Sequence, residues 1–178
     1  MPASAEAQYR GSAEPDAVMA AGFTLRDATP ADVPVVVHFV RALADYEKLL
    51  HEAKGSEADF TAALFGEAPR AAAIIAEVDD KPVGLCIWYR TFSTFTARHG
   101  IWVEDIFVEP GYRGRGIARA IFRRLARQVK DEGGARLEWN VLDWNEPAIG
   151  AYRAMGARGL DQWTMQRVDG AALDRLAE

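Results

Sequence analysis

The sequence predicts a mixed α/β (α+β) fold, with a central, mostly antiparallel twisted sheet flanked by helices. Three observations point to it. Ile101 to Val108 is crowded with β-branched and aromatic residues, stops at Pro110-Gly111, and passes through a glycine-rich turn into a helical period. Upstream, Ala71 to Val78 and Val83 to Phe92 flank the turn Asp79-Asp80-Lys81-Pro82 and read as a hairpin. Downstream, a strand–helix–strand order carries the chain back to the sheet.

Residues 1–22 are rich in Ala, Ser, Glu and Pro and are expected to be a disordered tail, with Met19 standing just before the folded pattern. Phe23-Thr24-Leu25-Arg26 reads as a short first strand. Thr29-Pro30-Ala31-Asp32 opens a helix: Thr as cap, Pro at the first helical position, Asp in the first turn. That helix is expected to reach about Leu50, with Val36, Phe39, Val40, Leu43 and Tyr46 near one face. Ser56-Glu57-Ala58-Asp59 starts a shorter helix ending near Gly66. After the hairpin and the strand Ile101 to Val108, Ile117, Ile121 and Leu125 share a helix face with Ala118, Phe122 and Val129. Asp131-Glu132-Gly133-Gly134 ends this helix, and Arg136 to Leu142 alternates as a strand. Asn145 is the N-cap of a helix ending at Gly156, Gln162 to Val168 reads as a last strand, and Asp169 caps a terminal helix.

The chain has 178 residues, which suits a single folded domain over 23–178. A net charge of −5 disfavours nucleic-acid binding. No apolar run is long enough to span a membrane, and the first residues lack a basic start followed by an apolar block, so a cytoplasmic protein is expected. The single Cys86 cannot form an internal disulfide and lies in the apolar run Val83 to Tyr89, as a core thiol would. His38, His51 and His99 have no ligand spacing, so no metal is expected. Arg119, Arg123, Arg124, Arg127 and Lys130 read most simply as the solvated face of a helix whose C-terminal half suits positive charge.

The turn Tyr112-Arg113-Gly114-Arg115-Gly116-Ile117-Ala118 aims a helix N-terminus and several backbone N–H groups at one point, where phosphate oxygens are attracted. Gly114 and Gly116 let a bulky anion approach the backbone, and Arg113, Arg115 and Arg119 add charge. A dinucleotide fingerprint would need glycine at Arg119, and a Walker loop would need Gly-Lys-Ser/Thr. Glu104 and Asp105 lie on the feeding strand. Strict alternation would turn them to opposite faces, leaving at most one in a given pocket.

The pattern Arg113-x-x-Gly116-x-Ala118 after an apolar strand resembles the pyrophosphate loop of the GNAT superfamily of acyl-CoA N-acyltransferases. Together with Leu43-Ala44-Asp45-Tyr46-Glu47-Lys48, Val103-Glu104-Asp105-Ile106-Phe107-Val108 and Asp143-Trp144-Asn145-Glu146-Pro147-Ala148-Ile149, it is similar to the diamine acetyltransferases, the spermidine/spermine and thialysine group. The resemblance implies acetyl-CoA as cosubstrate, a small-molecule amine as acceptor, and a homodimer. It assigns the pantetheine arm to Ile106, Phe107 and Val108. The pyrophosphate falls to Arg113, Gly114, Arg115, Gly116, Ile117, Ala118 and Arg119, and the rest of the CoA site to Asn145, Ala148 and Tyr152. It makes Tyr152 the general acid to the leaving thiolate and Glu104 the acceptor of the amine proton, through water. Tyr46, Glu47, Glu104, Asp105, Glu138, Trp139 and Asn140 fall on the substrate side.

This chain departs from the pattern at Ala118, where glycine is commoner, and at Trp102, where many relatives carry Tyr. The run Thr91-Phe92-Ser93-Thr94-Phe95 resembles bacterial and plant members more than the animal polyamine enzymes, so a diamine or lysine analogue is as well supported as a polyamine. A protein or peptide acetyltransferase and a non-catalytic CoA-binding module are the alternative readings.

Overall fold

The computed structural model describes residues 22–178, so the expectations for the N-terminal tail and Met19 lie outside the described residues. Contacts gather the chain into two compact units, one ending at Asn140 and one running from Val141 to Glu178. Among the described residues no helix is long and apolar enough to cross a membrane.

The first unit holds the strands β1 (Thr24–Asp27), β2 (Ala72–Val78), β3 (Lys81–Ser93), β4 (Arg98–Val108) and β5 (Leu137–Trp139), ordered in one sheet as they run in the chain. Neighbours from β1 to β4 are antiparallel, and β5 joins β4 in parallel. Helices α1 (Val33–Tyr46) and α2 (Glu57–Phe65) cover one face. There Val36, Phe39 and Leu64 pack with Ala73, Ile75, Leu85, Ile87 and Phe107. Helix α3 (Ile117–Asp131) follows the glycine turn and buries Ile117, Ile121, Phe122, Leu125 and Val129. Each such side chain contributes roughly 1.5–3 kcal/mol. A helix that also carries Arg119, Arg123, Arg124, Arg127 and Lys130 is thereby held to the sheet.

Local chemistry sets the ends of these elements. The hairpin turn uses Asp79 at φ 50° and Asp80 at φ 58°, a left-handed pair whose twist matches that of the flanking strands. The Ser56 hydroxyl accepts from the Asp59 N–H at 3.2 Å while the Asp59 carboxylate accepts from the Ser56 N–H at 2.9 Å, a reciprocal cap at the predicted start of α2. Gly133 takes φ 74° and Gly134 N–H bonds back to Val129 O at 2.7 Å, closing α3 where its sequence predicts.

The start of α1 keeps the expected cap at Thr29, with Pro30 first and Asp32 in the first turn, but that turn is tighter than an α-helix. Pro30–Asp32 form a 3-10 turn, and the α-helix begins at Val33. Asp32 accepts from the Thr29 N–H at 2.7 Å and the Thr29 hydroxyl at 2.8 Å. It also accepts two bonds from Arg26 of β1, each 2.7 Å. Arg26 reaches Glu77 of β2 as well, at 3.0 Å through Nε. This arginine therefore fastens the first turn of α1 to two strands. The helix stops at Tyr46 rather than near Leu50, because Lys48 takes φ 63°, outside the helical region.

Strand β4 begins at Arg98, three residues before the expected start. Pairing with β3 runs on to Ser93 opposite Arg98, past Trp88, where pairing with β2 ends. The paired ends form a two-stranded arm whose tip carries Phe92, 63% exposed, and Phe95, 91% exposed. Glu132 at the end of α3 holds the arm's base, accepting from Arg90 and lying 3.2 Å from His99.

The second unit holds α4 (Glu146–Ala154) and α5 (Gly170–Ala177). Asn145 caps α4 as predicted, accepting from Ala148 N–H at 3.4 Å, and Gly156 ends it at φ 92°. The expected strand Gln162 to Val168 does not form: residues 163–169 have no regular structure. A strand needs a partner backbone, and this unit contains none among its described residues, so β-propensity alone does not order it. The strand expected over Arg136 to Leu142 is likewise reduced to Leu137–Trp139, the length over which β4 pairs with it.

Arg26 lies between two carboxylates, and it holds the Asp32 carboxyl well below the usual carboxylate range. Arg26→Met leaves Asp32 without its cation and should lower stability by about 2–4 kcal/mol, measured by urea unfolding. Adding Asp32→Asn should recover part of that loss.

Candidate active site

The site starts from an irregularity in β4. Ile87 of β3 lies opposite Asp105, but the next residue, Trp88, lies opposite Val103. Glu104 is thus the extra residue of a β-bulge. A bulge shifts the phase of the side chains beyond it. Before it, Trp102 and Glu104 share a face, and the Trp102 indole N–H donates to Glu104 at 2.9 Å. After it, Asp105 and Phe107 lie opposite Ile87 and Leu85, which belong to the core under α1 and α2. Both carboxylates therefore face the α1 side. The expectation that alternation would separate them is corrected by one unpaired residue.

Crowding these acids has an electrostatic cost. Asp105 is pushed up to about 6, first by burial and then by the charges of Glu104 and Glu47. Burial also raises Glu47, just beyond the end of α1. Tyr89 of β3 is raised by burial and by Glu104. It stacks on Trp102 with ring centres 6.4 Å apart. Tyr89 and Trp102 were not among the predicted site residues. The hairpin register that sets Tyr89 opposite Trp102 is the signal that could have found them.

The strand then opens. β5 accompanies β4 only from Ile101 to Val103, so from Glu104 to Val108 the edge away from β3 has no strand beside it among the described residues. Such an edge presents backbone N–H and C=O groups to an extended ligand. It leads directly into the turn, where Gly114 takes φ 76° and Gly116 φ 84°, conformations that favour glycine. A Cβ at either position would meet nothing within 4 Å, so the space in front of the backbone is open. Gly116 makes no side-chain cap, and the first bond inside α3 is Ala120 N–H to Gly116 O at 2.9 Å. The N–H groups of Ile117, Ala118 and Arg119 precede it and have no intrahelical acceptor.

The remaining predicted residues divide by place. Glu138 accepts from Arg136 at 2.7 Å, which offsets its charge, and Trp139 packs on Phe122 with ring centres 4.6 Å apart. Asn140 is exposed at the end of the first unit. Tyr46, the last residue of α1, carries the Arg113 guanidinium 5.0 Å from its ring centre. Asn145, Ala148 and Tyr152 lie on α4 in the second unit, where Ala148 and Tyr152 are partly buried, with Met155, on one face. Among the described residues no group of His, Cys, Asp and Glu is arranged to hold a metal ion.

Residues 39–157 match the acetyltransferase (GNAT) family. The chain belongs to that family. GNAT relatives include the thialysine N-epsilon-acetyltransferase of Sus scrofa, 36% identical over 168 residues, which cover 88% of this chain and 98% of that protein. The L-ornithine N5-acetyltransferase of Arabidopsis thaliana is 25% identical over 197 residues, covering 85% of this chain and 86% of that protein. Among solved structures, an integron cassette protein from the Vibrio cholerae mobile metagenome superposes with a TM-score of 0.74 at 24% identity, over 88% of this chain and 98% of its own. The ribosomal-protein-alanine N-acetyltransferase of Brucella melitensis superposes at 0.61 with 20% identity, over 83% of this chain and 99% of its own. These two likenesses concern the GNAT fold alone.

A carboxyl raised above its unfolded value binds more protons in the native state, so its cost grows as pH rises from about 4 to about 6 and stays in place above that. Asp105→Asn should therefore stabilise the protein at pH 7–8, by on the order of 1–2 kcal/mol, and by less at pH 4. Thermal unfolding across that range checks the sign. Carboxyl NMR of the Glu104→Gln variant should show the Asp105 midpoint moving down from about 6.

Proposed function

We propose that the protein transfers the acetyl group of acetyl-CoA directly to the nitrogen of a small aliphatic amine: a diamine, a polyamine or a lysine-like molecule. The observation that carries this reading is the bulge at Glu104, which sets two carboxylates on one face where β4 becomes an open edge running into the glycine turn. Relatives whose names specify thialysine and ornithine support an acceptor of that class.

The residues present fit a long diphosphate thioester. Backbone groups of Ile106, Phe107 and Val108 would pair with the amides of the pantetheine arm. The N–H groups from Gly114 to Arg119 would hold the diphosphate, with the open space at Gly114 and Gly116 admitting its oxygens. Asn145 and Ala148 are assigned to the same ligand. When bound, acetyl-CoA supplies a thioester carbonyl open to attack by a neutral amine.

The protein's own contribution is protonic and electrostatic. An aliphatic amine has a pKa of about 10.4, so roughly one molecule in a thousand is neutral at pH 7. Glu104 is exposed, and one of its oxygens is oriented by Trp102. It is the group we assign to accept the amine proton, through water. Asp105 and Glu47 attract the ammonium form, and Tyr46, Glu138, Trp139 and Asn140 are assigned to the substrate side. Backbone N–H groups of the open edge polarise the carbonyl. Tyr152 is assigned to protonate the departing sulfur, since a phenol stays protonated at neutral pH. We further propose that residues 23–178 act as one domain in a cytoplasmic homodimer, with the exposed Phe92 and Phe95 of the β3–β4 arm as contact residues.

A panel of polyamines, diamines and lysine analogues, assayed by thiol release from acetyl-CoA, tests the reading; no turnover with any member would overturn it. Tyr152→Phe should lower kcat by about 100-fold while weakening CoA binding little. Glu104→Gln should depress the rate mainly at pH values below the amine pKa, so its pH–rate profile should climb later than that of the wild type. Light scattering should give twice the 19.6 kDa chain mass, and Phe95→Asp should shift it toward the monomer.

A further inference from the structure

Arg113 opens the glycine turn, yet its side chain reaches back across β4. Its Nε donates to the Val108 carbonyl at 2.9 Å, and its guanidinium carbon lies 5.0 Å from the centre of the Tyr46 ring and 5.7 Å from that of Phe107. Arg115, two residues on, keeps to its own turn, donating to Gly111 O at 3.3 Å and standing 4.9 Å from the Tyr112 ring centre. A planar guanidinium can stack on aromatic faces and donate in its own plane at once, which an ammonium cannot. Arg113 thus holds three pieces together: the last residue of α1, the end of β4 and the first residue of the turn.

Each piece leads to a different part of the site. Tyr46 is followed by Glu47, whose charge is felt at Asp105. Arg113 is followed by Gly114, held at φ 76°. A ligand that fixes the turn therefore also fixes the guanidinium, and through it the end of α1. We propose that Arg113 is a positioning residue that couples the two substrates: by tying the anion-binding turn to Tyr46 and Glu47, it lets an occupied turn raise affinity for the amine. Linkage requires the reverse as well, the amine tightening the hold on CoA by the same factor. The inference rests on the reading that the turn binds the CoA diphosphate. Helix α1 packs on β4 independently of this arginine, through Phe39 and Phe107 with ring centres 5.8 Å apart, so variants at Arg113 should fold.

Calorimetry on the full chain tests this, using the best amine of the panel above and CoA as the unreactive partner. In the wild type, saturating CoA should lower the amine Kd by about 5-fold or more, a typical coupling. In Arg113→Gln that ratio should fall to within about twofold of unity at CoA concentrations that saturate the variant. Tyr46→Phe, which keeps the ring, should preserve the ratio, and Tyr46→Leu should abolish it. The double variant Arg113→Gln, Tyr46→Leu should lose no more coupling than either single change. A wild-type ratio of one, or an unchanged ratio in Arg113→Gln, overturns the coupling. If that unchanged ratio comes with a large loss of CoA affinity and a shallower salt dependence, Arg113 is instead a direct phosphate ligand. If the wild type binds no CoA at all, the functional reading fails and the coupling with it.

Discussion

The site depends on one unpaired residue in a strand. Between Val103 and Asp105 the ladder with β3 skips Glu104, and the phase of β4 changes there. Without that skip, Asp105 would fall on the face that also takes Val103, and Phe107 would leave the core beneath α1. With it, the strand keeps apolar side chains buried on either side of the irregularity while setting two carboxylates together. Their mutual repulsion, added to burial, is what raises Asp105. That repulsion is offset by packing in the same sheet, where Phe39, Leu85, Ile87 and Phe107 form part of the core under α1 and α2.

The strand edge and the turn beyond it each offer backbone polar groups, separated by Glu109 to Arg113, where the N–H groups of Glu109, Tyr112 and Arg113 bond to Val83, Glu109 and Pro110. β5 leaves after Val103, Pro110 ends the strand, and two left-handed glycines carry the chain into α3 without a capping side chain. The open edge of β4 and the start of α3 leave N–H groups uncommitted within secondary structure, and buried rows on α3 keep the helix start in place. Arg26 serves the other end of the same arrangement. By anchoring the first turn of α1 to β1 and β2, it fixes the axis at whose far end Tyr46 and Glu47 stand.

Much of this was legible in the residues. The strand–turn–helix unit, the caps at Ser56 and Asn145, and the stops at Gly133 and Gly156 rest on local chemistry, and local chemistry is written in adjacent residues. What was not legible depends on partners distant in the chain. The bulge exists only against β3, although two acids in succession within an apolar strand hint at it. Thr29, Pro30 and Asp32 take the predicted cap and first-turn positions, but the bonds from Arg26, which Glu77 shares, come from other strands and could not be read from adjacent residues. The shortness of β5 and the absence of a strand over residues 163–169 follow from missing pairing, which propensity does not report. The engagement of Arg113 with Tyr46 joins residues far apart in sequence, and no spacing rule connects them.

The irregularity at Glu104 also bears on how this chain can change over generations. Losing the Glu104 codon itself would restore regular pairing with Val103 and Asp105 on their present faces, removing only that carboxylate, whereas losing any other codon of the paired stretch would reverse the side-chain parity of one flank of β4 relative to the other. That would drive Asp105 or Val103 to the wrong side in one step. Gaining a codon elsewhere in the paired stretch would do the same. Substitutions can therefore retune acceptor preference one side chain at a time, whereas the length of this strand outside position 104 is effectively frozen. Changes in length are better absorbed at the exposed tip between Ser93 and Arg98, where extra residues cross no register.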